Sequence, residues 1–339
     1  MTLTYFDQIC SIENLELAYY KASKRKRSSN SYLYFRKNAE VNVQKIQEQL
    51  LIGKWQCGTY RQFKISDPKE RIITAAPFED RIVHHAIINV MEDLFEKKFI
   101  FHTYACRKQK GTHAALKHAQ KFCRNGIFFL KLDVRKYFDS IDHKILKQQL
   151  LRLTNESKVQ TLFGLIIDSY TSDIAKEKNL KTGLPIGNLT SQYFANLYLS
   201  GLDHFVLERL KPYGYIRYMD DMLIFSKSLK QFTLIFKEIE KYISSNLNLS
   251  LKPPVYGRSV LGIPFLGKLV KYKEIRPLAQ KIKLKKKKIK KIDYLVRTGQ
   301  IEEEKGAERI NAIMADCRIK KMQESPSVES TIKKAHPCI

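Results

Sequence analysis

Two adjacent aspartates inside an apolar run constrain this chain more than any other feature. The stretch Gly214–Ser226 reads GYIRYMDDMLIFS: aromatic and β-branched residues lead up to Asp220 and Asp221, and a second apolar run leaves from Met222. Strand-forming residues on both sides of a short acidic break predict a tight β-hairpin with both carboxylates at its tip. Neighbouring like charges repel, so the arrangement costs stability unless a cation neutralises it. Mg²⁺ suits such a tip, because it is a hard ion that takes few protein ligands and leaves positions for substrate phosphates. A solvated Asp-Asp turn satisfies the same pattern. This segment alone does not separate the two.

A second stretch raises the same question. In Gly126–His143, GIFFLKLDVRKYFDSIDH, Phe128, Leu130 and Leu132 alternate with Phe129, Lys131 and Asp133. That alternation predicts a strand with Asp133 near its carboxyl end. An acid on the side of Phe129 and Lys131 is costly to bury without a partner, and a metal would be one. Asp139 and Asp142 read as turn and cap residues before a helix over His143–Leu153. A further apolar helix is expected over Ser157–Ser172. Thr182–Leu199, TGLPIGNLTSQYFANLYL, then opens as a Gly-Leu-Pro-Ile-Gly loop and turns helical from Leu189 to about Leu210.

What such acids would serve is narrowed by charge. The chain has 339 residues, 44% of them hydrophobic, with 61 Lys+Arg against 34 Asp+Glu, a formal net charge of +27. It can bury a sizeable core and divide into subdomains. An excess that large points to a polyanionic partner and salt-sensitive binding. No apolar run approaches the length that spans a bilayer, and the amino terminus lacks a basic-then-apolar signal pattern. The six cysteines are scattered with no CxxC pair, which indicates neither a zinc site nor a disulfide framework and fits a cytoplasmic protein.

The rest of the chain reads in order. Residues 1–60 are helical and basic. Lys21–Arg27, KASKRKR, is a patch that can touch phosphates, and Val43, Ile46, Leu50 and Leu51 mark a helix stopped by Gly53. Phe63–Arg81 predicts a hairpin around Ser66-Asp67-Pro68 that carries Lys69 and Arg71, with a helix following over Ile82–Phe99. Its His84 and His85 face different sides, which argues against a shared metal. Lys110 and Gly111 precede another helix, whose amino terminus can hold phosphate or be capped by Thr112. Leu229–Asn246 is an amphipathic helix, Leu247–Leu251 a strand ended by Lys252, and Val260–Tyr272 two short strands. In Lys281–Arg297, KIKLKKKKIKKIDYLVR, Ile282, Ile289, Ile292 and Val296 share one helical face, leaving the lysines for a phosphate backbone. From about Gln323 the tail is polar and reads as disordered.

The order of these pieces resembles a known family. A strand ending in Asp, a glycine-containing loop opening a helix and a Tyr-Met-Asp-Asp hairpin are similar to motifs A, B and C of reverse transcriptases, with LKLDVRKYFDSIDH and RYMDDMLIF as the specific segments. The resemblance covers about Phe35–Tyr272. It implies an α+β right-hand polymerase: helices and fingers over residues 1–125, a palm of antiparallel sheet and helices over 126–275 with inserted fingers helices at about 144–182, and a basic helical thumb with a polar tail over 276–339. Most reverse transcriptases have Leu-Pro-Gln-Gly followed by Ser-Pro in motif B. Here LPIGNLTSQ places Ile186 at the glutamine position and Gln192 after Ser191. This resembles the reverse transcriptases of diversity-generating retroelements, bacterial or phage-encoded enzymes that copy a template-repeat RNA into cDNA with errors opposite adenine, together with a small accessory variability protein.

The resemblance also implies roles. Asp133, Asp220 and Asp221 would hold two Mg²⁺ ions, with the carbonyl of Val134 adding a contact. Lys69 and Arg71 would clamp the dNTP triphosphate. Phe138 would stack under the sugar and exclude a 2′-hydroxyl, and Ile186 and Gly187 would line the floor near the nascent pair. Lys252 would be the general acid for pyrophosphate, and Phe265-Leu266-Gly267 the primer-grip turn. Lys110, Lys285, Lys286, Lys287 and Lys288 would bind nucleic acid. Two alternatives stand beside this reading: a reverse transcriptase of a retron, group II intron or defence system, and a non-catalytic RNA-binding scaffold.

Overall fold

The predicted hairpin forms. In the computed structural model, which describes residues 3–24, 26–66, 70–124 and 126–315, strand β4 (Gly214–Tyr218) pairs antiparallel with β5 (Asp221–Ser226), Tyr218 facing Asp221. Only Met219 and Asp220 lie between them, and Met219 takes the left-handed conformation (φ 56°) that so short a turn demands. Strand β3 (Phe128–Asp133) lies on the other side of β5, and β6 (Val255–Arg258) beyond it, so the sheet order is β4-β5-β3-β6. The register sets Asp133 directly opposite Asp221. Central position explains the apolar content of β3 and β5: five of the six residues of β5 are buried.

The helices around this sheet follow from apolar spacing. Helix Leu229–Leu247 buries Phe232, Ile235, Ile239, Ile243 and Leu247, one stripe three or four residues apart, and packs on β5. Helix Phe78–Lys98 begins earlier than its periodicity predicts and is buried on several sides, because Ile12–Ser23 packs on it from one direction and Leu189–Tyr198 from another. The amino-terminal helices Tyr5–Cys10, Ile12–Ser23, Asn30–Arg36 and Ala39–Leu51 form as expected, the last followed by Gly53 at φ 68°. Strands β1 (Arg61–Ser66) and β2 (Glu70–Ala75) make the predicted antiparallel hairpin.

Other expectations are corrected. Leu247–Leu251 is not a strand: the helix runs to Leu247, Asn248 closes it in the left-handed conformation (φ 51°), and of the rest only Leu251 pairs, in a single bridge with Val134. The place beside β3 goes to β6, whose short Val-Tyr-Gly-Arg sequence gives little strand signal. The helix from Leu189 breaks into Leu189–Tyr198, Ser200–Phe205 and a wide turn at Val206–Leu210, and the helix from Ser157 stops at Asp168. Asp142 caps helix His143–Leu151, accepting from Lys144 N–H at 2.8 Å and Ile145 N–H at 3.1 Å, whereas Asp139 sits inside a short helix, Tyr137–Ser140. Thr112 is the first residue of helix Thr112–Lys121 and caps nothing; its hydroxyl donates to the Tyr218 hydroxyl at 3.2 Å.

The described residues divide into two compact units. One runs through Leu266 and takes in Val270–Glu274; the other comprises Gly267–Leu269 and the residues from Ile275 on. In the second unit, helices Ala279–Arg297 and Glu303–Ala315 pack together, with Gly306 directly against Val296 so that any larger residue there would displace the valine. Among the described residues no helix is long and apolar enough to cross a membrane.

Candidate active site

Asp133, Asp220 and Asp221 meet at one end of the sheet because two local features place them: the cross-strand register of β3 with β5, and the two-residue turn of the hairpin. Burial, then the charges of Asp133 and Asp221, push the Asp220 carboxyl up to about 6. The other two acids each face a lysine. Lys252 Nζ stands 2.5 Å from Asp133 Oδ1, and Lys131 Nζ stands 3.1 Å from Asp221 Oδ1. Both carboxylate oxygens are buried, and neither contact has hydrogen-bond geometry, so the lysines balance the charge without satisfying the oxygens.

An all-oxygen donor set with two such oxygens fits a hard divalent cation. Among the described residues, no three His, Cys, Asp or Glu side chains converge on one point; Asp133 and Asp221 are turned to their lysines. Val134 adds a main-chain donor. Its bridge to Leu251 is made by the flanking groups, Arg135 N–H to Ser250 O and Lys252 N–H to Asp133 O, both 2.8 Å, which leaves the Val134 carbonyl out of the bridge.

The hairpin tip has a support that sequence reasoning missed. Arg217 is fully buried and donates to both oxygens of Asp203, at 2.7 and 2.5 Å, to the carbonyl and side-chain oxygens of Asn196, and to the carbonyl of Met219 at 3.0 Å. The Tyr215 hydroxyl donates to Asp203 at 2.8 Å. A buried guanidinium thus holds the main chain of the acidic turn, with its own charge balanced by one carboxylate. The signal was Arg217 itself, a cation within an apolar strand, which must find a counter-ion. Its partner Asp203, on helix Ser200–Phe205, carried none.

The glycine loop between Thr182 and Asn188 is fixed to three neighbours. His143 Nε2 donates to Gly183 O at 2.8 Å, Leu184 N–H donates to Phe138 O at 2.8 Å, and Ile186 O accepts from Thr74 N–H of β2 at 3.0 Å. At Gly187 the chain has φ 137° and passes so near Thr74 O that a Cβ would sit 3.1 Å from it, so glycine is required there. Ile186 and Phe138 are half-buried at this level, the Phe138 ring edge-on to Tyr137.

The remaining positions have the following settings. The Lys110 ammonium donates to Phe101 O at 3.0 Å and lies 3.4 Å from the centre of the Phe101 ring. The Phe265 ring is fully buried, leaving Leu266 and Gly267, both with positive φ, as the accessible part of that turn. On helix Ala279–Arg297 the inner positions include Ile289, Ile292 and Val296 as expected, but Ile282 is exposed and Lys285 takes the inner place, donating to Ile313 O at 3.3 Å. Lys286, Lys287 and Lys288 are exposed. Lys69 and the side chain of Arg71 lie outside the described residues, as does the polar tail.

Comparison with known proteins identifies the family. The sequence pattern of the family described as reverse transcriptase (RNA-dependent DNA polymerase) matches residues 64–254, more than half of the chain. Protein YkfC of Escherichia coli (strain K12) is 26% identical over 50% of this chain and 46% of its own length. The group II intron-encoded protein LtrA of Lactococcus lactis subsp. cremoris is 26% identical over 50% of this chain and 29% of its own. The chain therefore matches less than half the length of either relative. Apo telomerase from Candida tropicalis superposes with a TM-score of 0.49 at 12% identity, over 66% of this chain and 49% of that one.

Proposed function

The chain belongs to the reverse transcriptase (RNA-dependent DNA polymerase) family, and from that premise we propose that it polymerises DNA on an RNA template at the acidic end of its four-stranded sheet. The observation that carries this reading is the placement of Asp133, Asp220 and Asp221 at one end of the sheet, set by strand register and a two-residue turn, with two buried oxygens lacking hydrogen-bond donors. Those three acids and the Val134 carbonyl would hold two Mg²⁺ ions, which when bound lower the pKa of the primer 3′-hydroxyl and stabilise the departing pyrophosphate. Lys252, with its backbone N–H bonded to the Asp133 carbonyl and its ammonium half-exposed, would give a proton to that leaving group. Phe138 and the loop at Ile186 and Gly187 flank the sugar and base of the incoming dNTP. Lys69 and Arg71 are assigned to its triphosphate, the Leu266–Gly267 turn to the primer, and Lys286, Lys287 and Lys288 to the backbone of the template–primer duplex.

Asp220→Asn tests this. It removes one ligand charge without touching the basic surface, so Mg²⁺-dependent dNTP addition to a primed RNA should vanish while RNA affinity stays within a few-fold. An Asp220→Asn variant that extends primers as fast as the unaltered protein would refute the catalytic assignment, and a folded wild type that binds RNA but never extends it would favour the scaffold alternative.

The finer reading is a diversity-generating retroelement enzyme acting with a small accessory protein, and Ile186 with Ser191-Gln192 supports it. Isoleucine offers shape but no hydrogen-bonding check beside the templating pair. One lost hydrogen bond shifts discrimination by about 0.5–1.5 kcal/mol, a factor of a few to about ten. Ile186→Gln should therefore lower errors opposite template adenine more than opposite other bases, read by sequencing cDNA from one RNA with the accessory protein present. Equal adenine error rates would remove Ile186 from the explanation. Similarity to a group II intron-encoded protein favours the second reading, a group II or retron-type enzyme, and the absence of a template repeat paired with a variable repeat in the flanking DNA would decide for it.

A further inference from the structure

We propose that Lys131 is a resident counter-ion of Asp221, a positioning residue that weakens the site's hold on the cation using that acid, whereas Lys252 on Asp133 is an exchangeable placeholder. The inference rests on the reading of Asp133, Asp220 and Asp221 as cation ligands.

The two ion pairs look alike at the acid end and differ at the lysine end. Lys131 lies in the interior of β3, paired with Leu223 of β5 on one side and Val255 of β6 on the other. Its backbone cannot move without opening the sheet on both edges, and its side chain is only 22% exposed. It shares a face with Asp133 two residues on, which turns its ammonium toward Asp221 on the neighbouring strand; diagonal pairs of this kind are within reach of a long side chain. Lys252 follows the single Val134–Leu251 bridge in an irregular segment, and its side chain is 47% exposed. Swinging Lys252 into solvent costs little; swinging Lys131 away would leave its charge against the sheet.

Three carboxylates at one strand end carry up to three negative charges, and the two lysines return two. The two lysines thereby offset much of the repulsion among the acids, one at Asp133 and one at Asp221. A cation arriving at Asp133 displaces Lys252 and frees it for the leaving group. A cation arriving at Asp221 meets an ammonium that stays, and a fixed like charge within a few ångströms opposes binding. Such neighbours shift charge equilibria by about one to three log units. Asp221 is a quarter exposed, so solvent screening puts the effect near the lower end, at about tenfold.

The test uses the full chain without nucleic acid, with Mn²⁺ as the probe, its binding followed by electron paramagnetic resonance and thermal unfolding measured in parallel. Lys131→Met should bind Mn²⁺ about tenfold more tightly, should melt lower than wild type in EDTA, and should recover most of that loss when Mn²⁺ is added. Lys131→Arg, which keeps the charge, should behave as wild type, and Lys131→Met with Asp221→Asn should lose the gain in affinity. Lys131→Gln serves the same comparison if the methionine variant does not fold. Unchanged Mn²⁺ affinity in a folded Lys131 variant, or a melting loss that Mn²⁺ does not recover, overturns the counter-ion role while leaving the acids as ligands. Absence of Mn²⁺ binding by both the wild type and the folded Lys131 variants, or binding that Asp133→Asn, Asp220→Asn and Asp221→Asn all leave unchanged, overturns both readings.

Discussion

Removing the charge of Arg217 separates the folding role of its buried pair from its role at the acidic turn. Arg217 and Asp203 are both fully buried, and the guanidinium makes five hydrogen bonds, to Asp203, Asn196 and Met219. Arg217→Met leaves the Asp203 charge uncompensated, which costs about 3–5 kcal/mol. Against a total stability of about 5–15 kcal/mol for a domain, that is a large fraction, so urea unfolding should shift strongly. Adding Asp203→Asn removes the stranded charge and keeps an acceptor for Tyr215. The double variant should regain the part of that loss due to the stranded charge and stay below wild type by about 1–3 kcal/mol for each buried oxygen left without its donor. Activity should not recover in step. The Met219 carbonyl remains unsupported, the turn carrying Asp220 loosens, and a misplacement of about 1 Å at a reacting centre costs about 10²-fold. The assay is single-turnover dNTP addition at a temperature where both variants are fully folded. Full activity in the folded double variant would reduce Arg217 to a stabilising residue with no role at the turn.

Replacing Lys286, Lys287 and Lys288 with Gln should weaken RNA–DNA duplex binding for all sequences alike and flatten log K against log salt by about 0.9 for each phosphate no longer neutralised; Lys285→Gln should leave the slope unchanged, because Lys285 Nζ is engaged with Ile313 O. Phe138→Ala should admit ribonucleotides, measured as rNTP against dNTP incorporation, and undiminished discrimination would make Phe138 a packing residue only. Asp80 is 4% exposed, accepts from Gly58 N–H at 2.8 Å, and is pushed by burial up to about 6. Its folded state holds a proton that the unfolded chain releases near 4, so this carboxyl makes stability fall as pH rises between about 4 and 6. Asp80→Asn should flatten that fall and raise stability at neutral pH by on the order of 2–3 kcal/mol, read as the difference in urea unfolding between pH 4 and pH 7.5.

Features local in the chain were legible before any tertiary contact was known. The Tyr-Met-Asp-Asp turn between two apolar runs, the strand ending at Asp133, the glycine loop before Leu189 and the stripe of helix Leu229–Leu247 all follow from periodicity and turn chemistry within a dozen residues. The assignment of Asp133, Asp220 and Asp221 to one site came from family order, and the β3–β5 register gives that order a physical form. Pairings between distant positions were not legible there, because they depend on the packed chain. Nothing near Arg217 in sequence announces Asp203, nothing near Lys131 announces Asp221, and β6 forms a strand because β3 offers it an edge rather than from its own composition. Leu247–Leu251 shows the converse, since the alternating Leu-Asn-Leu-Ser-Leu run remains irregular once Asn248 has closed the helix and β6 has taken the edge. Lys285 makes the same point on the second unit: a lysine among lysines takes an inner position and meets Ile313 O, 28 residues away. Propensity fixes what a segment can become, while burial and counter-charge, which depend on the whole packed chain, fix which partner each side chain meets.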